Sequence, residues 1–238
     1  ALLASLATRR PLSAVGWRFD GRWILVGVFA PIAYAAVAYG AVWALGLGGV
    51  PNHEFLARLQ TRFGGTPGGA FVKYLGIQST VGLLISCVAG LGEEIGWRGF
   101  LVPELSRRCS FATTSLVSGV IWSVWHYPLL LFADYNGGTP AAWSLACFTV
   151  MVIGISFLFA ASRLASGGVW PAAILHGSHN LFIQGVFDPI TADTGRTKWW
   201  IGEFGAALPL VALVVAALTI AWWRRAGAED AGSTGAVA

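Results

Sequence analysis

Six stretches of about 20 mostly apolar residues, at roughly 23–47, 75–101, 113–132, 141–162, 169–187 and 204–223, run through this chain of 238 residues. A helix needs about 20 such residues to cross the hydrocarbon of a bilayer. Helices and closed barrels are the only structures that satisfy every backbone polar group there. Composition agrees: 56% of the residues are hydrophobic and 11% are charged, whereas soluble domains carry about 25% charged residues. Too few charges remain to cover a water-facing surface. The pattern predicts an all-α, polytopic transmembrane helix bundle of about six spanning helices in the cell membrane, with short interfacial helices beside them. The first stretch lacks an A-x-A-like cleavage site before a polar domain, so it reads as a helix of the fold rather than a leader.

Residues 1–22 read as a cytoplasmic, interfacial lead, 23–223 as the transmembrane domain, and 224–238 as a small, polar, disordered tail. The Gly- and Pro-rich stretch 49–74 is a loop with a short amphipathic piece around Glu54–Arg62, and 133–140 is a turn between two helices. With the N-terminus inside, ten Arg residues fall on the inner side and five Lys or Arg on the outer, which places both termini in the cytoplasm. Orientation and anionic headgroups then account for the net charge of +4, and no basic stripe with interleaved aromatics points to nucleic acid. Cys87, Cys109 and Cys147 make neither a disulfide framework nor a C-x-x-C metal site. Many of the twelve tryptophans lie near predicted helix ends, as an aromatic belt requires, but Trp97, Trp122 and Trp125 flank polar residues instead.

Those polar residues are the anomaly. An ionisable side chain at the centre of a spanning helix costs about 2.5–3.5 kcal/mol. Yet the second stretch runs into Glu93, Glu94 and Arg98, the third holds His126, and the fifth holds His176, His179 and Asn180. Groups this expensive must face one another or a wet cavity. Glu94 and Arg98 are four residues apart and share a helix face, as do His176 and Asn180. Glu93 projects about 100° away from Glu94, so the two carboxylates have different roles. Reckoned from the predicted helix ends, His126 lies about 8–10 Å deeper than Glu93 and His176, a mismatch if all three share one site.

A carboxylate base, two histidines and an amide donor are suited to activating water against a carbonyl. Glu93, His126 and His176 are also suitable zinc ligands, with water in an open position. A Zn2+ mechanism and a metal-free one are both compatible with these residues.

At these positions the sequence resembles the CAAX protease and bacteriocin-processing (CPBP, or Abi) family of membrane proteases, which includes the type II CAAX prenyl endopeptidases. Glu93, Glu94 and Arg98 match its E-E-x-x-x-R motif. Trp122 and His126 match F-x-x-x-H with Trp in place of Phe, and His176 and Asn180 match H-x-x-x-N. The resemblance covers about 90–187. It implies an intramembrane endopeptidase in which Glu93 activates water with help from His126, Glu94 and Arg98 support and orient Glu93, and His176 with Asn180 stabilises the tetrahedral intermediate. It implies a peptide or protein substrate, lipidated or membrane-embedded, and the bilayer itself as a partner. His179 falls at a variable position and is left out of the catalytic set.

The alternative is a non-catalytic protein on the same scaffold, such as a bacteriocin-immunity or assembly factor, or a small proton-coupled transporter. No internal repeat of the kind common in transporters is visible. There is no G-x-S-G for a serine mechanism and no H-E-x-x-H for a zinc site on one helix. Asp134, Asp188, Asp193 and Glu203 read as solvated loop charges.

Overall fold

The computed structural model describes residues 12–133 and 135–235, with side chains through 227. The first half of the expected lead, Asp134 and the last three residues of the expected tail lie outside the described residues. Helix α1 spans Gly21–Ala44, capped by the Asp20 side chain, which accepts from the Trp23 N–H. The amphipathic piece is helix α2, His53–Phe63, capped by Asn52. Helix α3 is continuous through Pro67–Ser106, with π-helical turns at Gln78–Gly82 and Trp97–Leu101. Helix α4 is Phe111–Phe132, started by Ser110, and α5 is Ala141–Ser166, ended by Gly167 in a left-handed conformation. Helix α6 begins as Trp170–Phe182 and continues through a π-helical turn, Ile183–Phe187, to Ile190. Helix α7 is Ala207–Gly235, so the backbone stays helical through most of the stretch expected to be an unstructured tail.

Among the described residues five helices, α1, α3, α4, α5 and α7, are long and apolar enough to cross a membrane. The fifth predicted span, 169–187, lies outside those five. It folds as α6, but as an interior helix packed against α1, α3 and α5, with Ala172, Ala173 and Leu175 fully buried. Its histidines, Ser178 and Asn180 make it too polar to face lipid and need partners that only neighbouring helices supply.

The outer surface is apolar: Leu84, Val88, Phe132 and Leu218 are among its most exposed side chains. The interior holds Ser115, Ser118, Ser123, Ser156 and Ser162, each hydroxyl donating to a carbonyl of its own helix. Small residues among those that face inward let helices approach closely in lipid. The site depends on one such crossing. A Cβ on Gly177 would sit 2.5 Å from the Cys87 backbone nitrogen, and one on Gly90 would sit 3.0 Å from the His176 Cβ. Glycine at both positions lets α3 and α6 touch and sets the two glutamates beside His176.

The predicted depth mismatch disappears. The helix bearing Glu93 runs on to Ser106 rather than ending at 101, so Glu93 lies about 20 Å from that end and His126 about 22 Å from Phe111. Helix α6 starts inside the fold: Val169 is fully buried and its N–H donates to the Gly16 carbonyl at 2.8 Å.

Candidate active site

Glu93, Trp122, His126, His176, His179, Asn180 and Glu203 all line one cavity of about 180 Å³. That is room for several water molecules. All six residues expected from the sequence are accounted for: four line the cavity, and Glu94 and Arg98 lie behind it, fully buried.

The structure divides the labour between the glutamates differently from the sequence expectation. Glu94 is turned to other partners. Its Oε1 accepts from Arg98 Nη1 at 2.9 Å and from His176 Nδ1 at 2.9 Å. The guanidinium carbon of Arg98 lies 4.4 Å from the Trp122 ring centroid and 4.2 Å from that of Phe159, so the cation is held by π faces as well as by the carboxylate. Arg163 secures the same turn by donating from Nε to the Arg98 carbonyl at 2.7 Å. With Nδ1 committed to Glu94, His176 has Nε2 for the cavity.

Glu93 is oriented by two indoles. Its Oε2 accepts from Trp97 Nε1 at 3.2 Å and from Trp122 Nε1 at 3.1 Å. The Phe-to-Trp departure therefore has a physical consequence, because phenylalanine has no N–H to offer. Trp122→Phe is expected to lower turnover about tenfold by loosening the carboxylate, with substrate affinity kept. Single-turnover rates and a separate binding titration would check this, and an unchanged turnover rate would dismiss the role. His126 donates from Nδ1 to the Trp122 carbonyl at 3.0 Å, which leaves Nε2 as the ring's acceptor.

Sequence reasoning missed His179 and Glu203. Both are buried cavity residues, and Glu203 is no solvated loop charge. His179 Nε2 lies 3.2 Å from Glu203 Oε1, its Nδ1 pairs with the Tyr34 hydroxyl, and Tyr135 donates to Glu203 Oε2 at 2.9 Å. Burial pushes the Glu203 carboxyl upward, but the hydrogen bond and charge of His179, with the hydroxyl of Tyr135, outweigh it and hold Glu203 below its ordinary value. Asp188 is also half-buried, paired with the Tyr39 hydroxyl, and burial raises its carboxyl to about 7. Asp193 is exposed as expected. The H-G-S-H-N spacing could have signalled His179, since three residues is one helical turn from His176. Nothing in the sequence links it to Glu203.

Among the described residues no three His, Cys, Asp or Glu side chains are grouped so as to hold a metal ion. Glu93, His126 and His176 share the cavity without forming a ligand set, so no step below is routed through zinc.

Comparison with known proteins gives the same direction. A family model described as type II CAAX prenyl endopeptidase Rce1-like matches residues 76–182, a segment containing Glu93 through Asn180. A protein of Methanococcus maripaludis named CAAX prenyl protease 2 is 40% identical over 48 residues, 20% of this chain and 18% of that protein. The chain thus aligns with about a fifth of that relative's length. No solved structure matches.

Proposed function

From residues 76–182, through which the chain belongs to the type II CAAX prenyl endopeptidase-like family, we propose that it is a membrane-embedded endopeptidase that hydrolyses a peptide bond with water activated by Glu93. The observation that carries this reading is the convergence of Glu93, His126, His176 and Asn180 on one cavity. Glu93 takes a proton from water, which His126 Nε2 orients by accepting its second hydrogen. The hydroxide adds to the carbonyl carbon, and the oxyanion is met by the Asn180 amide and by His176. His176 acts as an imidazolium, with Nδ1–H bonded to Glu94, so that Nε2–H also donates. Glu93 then passes its proton to the leaving nitrogen, the C–N bond breaks to a carboxylic acid and an amine, and the acid's proton passes to the amine, so that a carboxylate and an ammonium group are released. Glu94 and Arg98 are positioning residues that act through His176.

Prenylated peptides are one substrate class within this reading, and the cell membrane, with both termini cytoplasmic, is its proposed location. The purified protein in proteoliposomes, incubated with a peptide library in H2(18)O, is expected to place one (18)O in each new C-terminal carboxylate. Cleavage should persist after dialysis against a chelator. Absence of cleaved peptide would defeat the proposal, while cleavage lost to the chelator and restored by Zn2+ would replace the metal-free route with a zinc one.

A further inference from the structure

A second, larger cavity of about 480 Å³ adjoins the first. That volume is within the roughly 300–1,000 Å³ of sites that hold small ligands. It lies at the loop end of the bundle, between the turn after α4, the end of α6 and the segment before α7. Tyr135 and Glu203 line both cavities and form the wall between them. The two spaces differ in chemistry. Opposite its reactive groups the inner cavity is walled by Leu129, Phe148, Met151, Val152 and Ile155. The outer one presents Asn136, Gln184, Asp188 and Lys198 beside the apolar Ile201 and Phe204.

The dividing wall is polar and internally bonded. Tyr135 donates to Glu203 and accepts from Gln184 Nε2 at 3.3 Å, and its ring stands edge-on to Phe204 with centroids 4.9 Å apart. Nearby, the Gly202 N–H donates to the Tyr39 hydroxyl at 2.9 Å, and that hydroxyl donates to Asp188. A peptide crossing this wall would find partners for its backbone amides. An apolar chain in the outer cavity would instead strip water from these groups without replacing it.

The geometry points to a single substrate site in two halves: the inner cavity takes an apolar side chain next to the scissile bond, and the outer cavity takes a hydrophilic peptide flank on the other side of it. This rests on the endopeptidase reading and adds the substrate class, a peptide whose cleaved bond lies between an apolar residue and a polar segment.

Two peptide series test it in proteoliposomes, sharing one apolar residue and carrying either a Ser-Asn-Lys or a Leu-Val-Leu flank. The hydrophilic flank is expected to give kcat/KM about tenfold higher. Lys198→Trp, filling the outer cavity from an exposed position, should raise KM for that peptide about tenfold and leave a truncated peptide without the flank unaffected. Equal kcat/KM for the two flanks, or equal KM effects on full and truncated peptides, would overturn the assignment. A diazirine in the hydrophilic flank, photolysed with Glu93→Gln protein, should label residues in 135–138 and 184–204. Label there without cleavage by the wild type would retire the hydrolytic reading and keep the binding site. Label confined to α4 and α5 would retire the binding site itself.

Discussion

Glu93→Gln is expected to reduce peptide cleavage by about 10²–10⁴-fold, the range that general-base groups supply, without altering membrane insertion or thermal stability. The substitution keeps the side chain's shape and one oxygen for the Trp97 and Trp122 N–H groups, so a folding defect would not explain the loss. What is removed is the ability to take a proton from water and return it to the leaving nitrogen. The measurement is the initial rate on a matched substrate, with melting of the same preparation as the control. Equal rates in variant and wild type would dismiss Glu93 as the base and leave a non-catalytic role on this scaffold as the better account.

Arg98→Met should be the most destabilising single change in the site. Arg98 and Glu94 are both fully buried and 2.9 Å apart. Removing the cation strands a carboxylate in a medium of low dielectric, at a cost of about 3–5 kcal/mol. That is a large part of the roughly 5–15 kcal/mol that separates folded from unfolded states. It corresponds to a melting temperature lowered by about 10 °C, or to loss of monodisperse protein. The pair Glu94→Gln with Arg98→Met removes both charges and should recover most of that stability. It should not recover activity, because His176 would keep its place but lose its anionic partner. If the single variant melts like the wild type, the ion pair does not organise the site. If the double variant is as unstable as the single one, packing of the guanidinium between Trp122 and Phe159, rather than its charge, is what matters.

The six candidate residues stood out before any coordinate because polar groups are out of place in apolar stretches. A glutamate, an arginine or a histidine inside an apolar stretch is costly, and helical spacing shows which of them share a face. The helical class follows with equal directness from segment length, since lipid leaves the backbone few options. The same reasoning failed where spacing along one helix is silent. It paired Glu94 and Arg98 correctly but assigned them to Glu93, whereas Glu94 holds His176 from another helix. It treated Trp122 as an aromatic wall and had no means of seeing the indole N–H reach Glu93. It placed Glu203 in water because its neighbours are loop residues, although the fold returns that loop against His179.

The sequence by itself determined that the chain is a helical membrane protein and which of its polar residues are too costly to be idle, because burying charge in lipid is penalised wherever the partners lie. Only the tertiary structure decided which partner each group found, that the fifth apolar stretch packs as an interior helix, and that a second cavity adjoins the first. Those outcomes depend on the close approach of α3 and α6 at Gly90 and Gly177. They depend equally on the return of the loop before α7, a contact between residues far apart in the chain that no local pattern records.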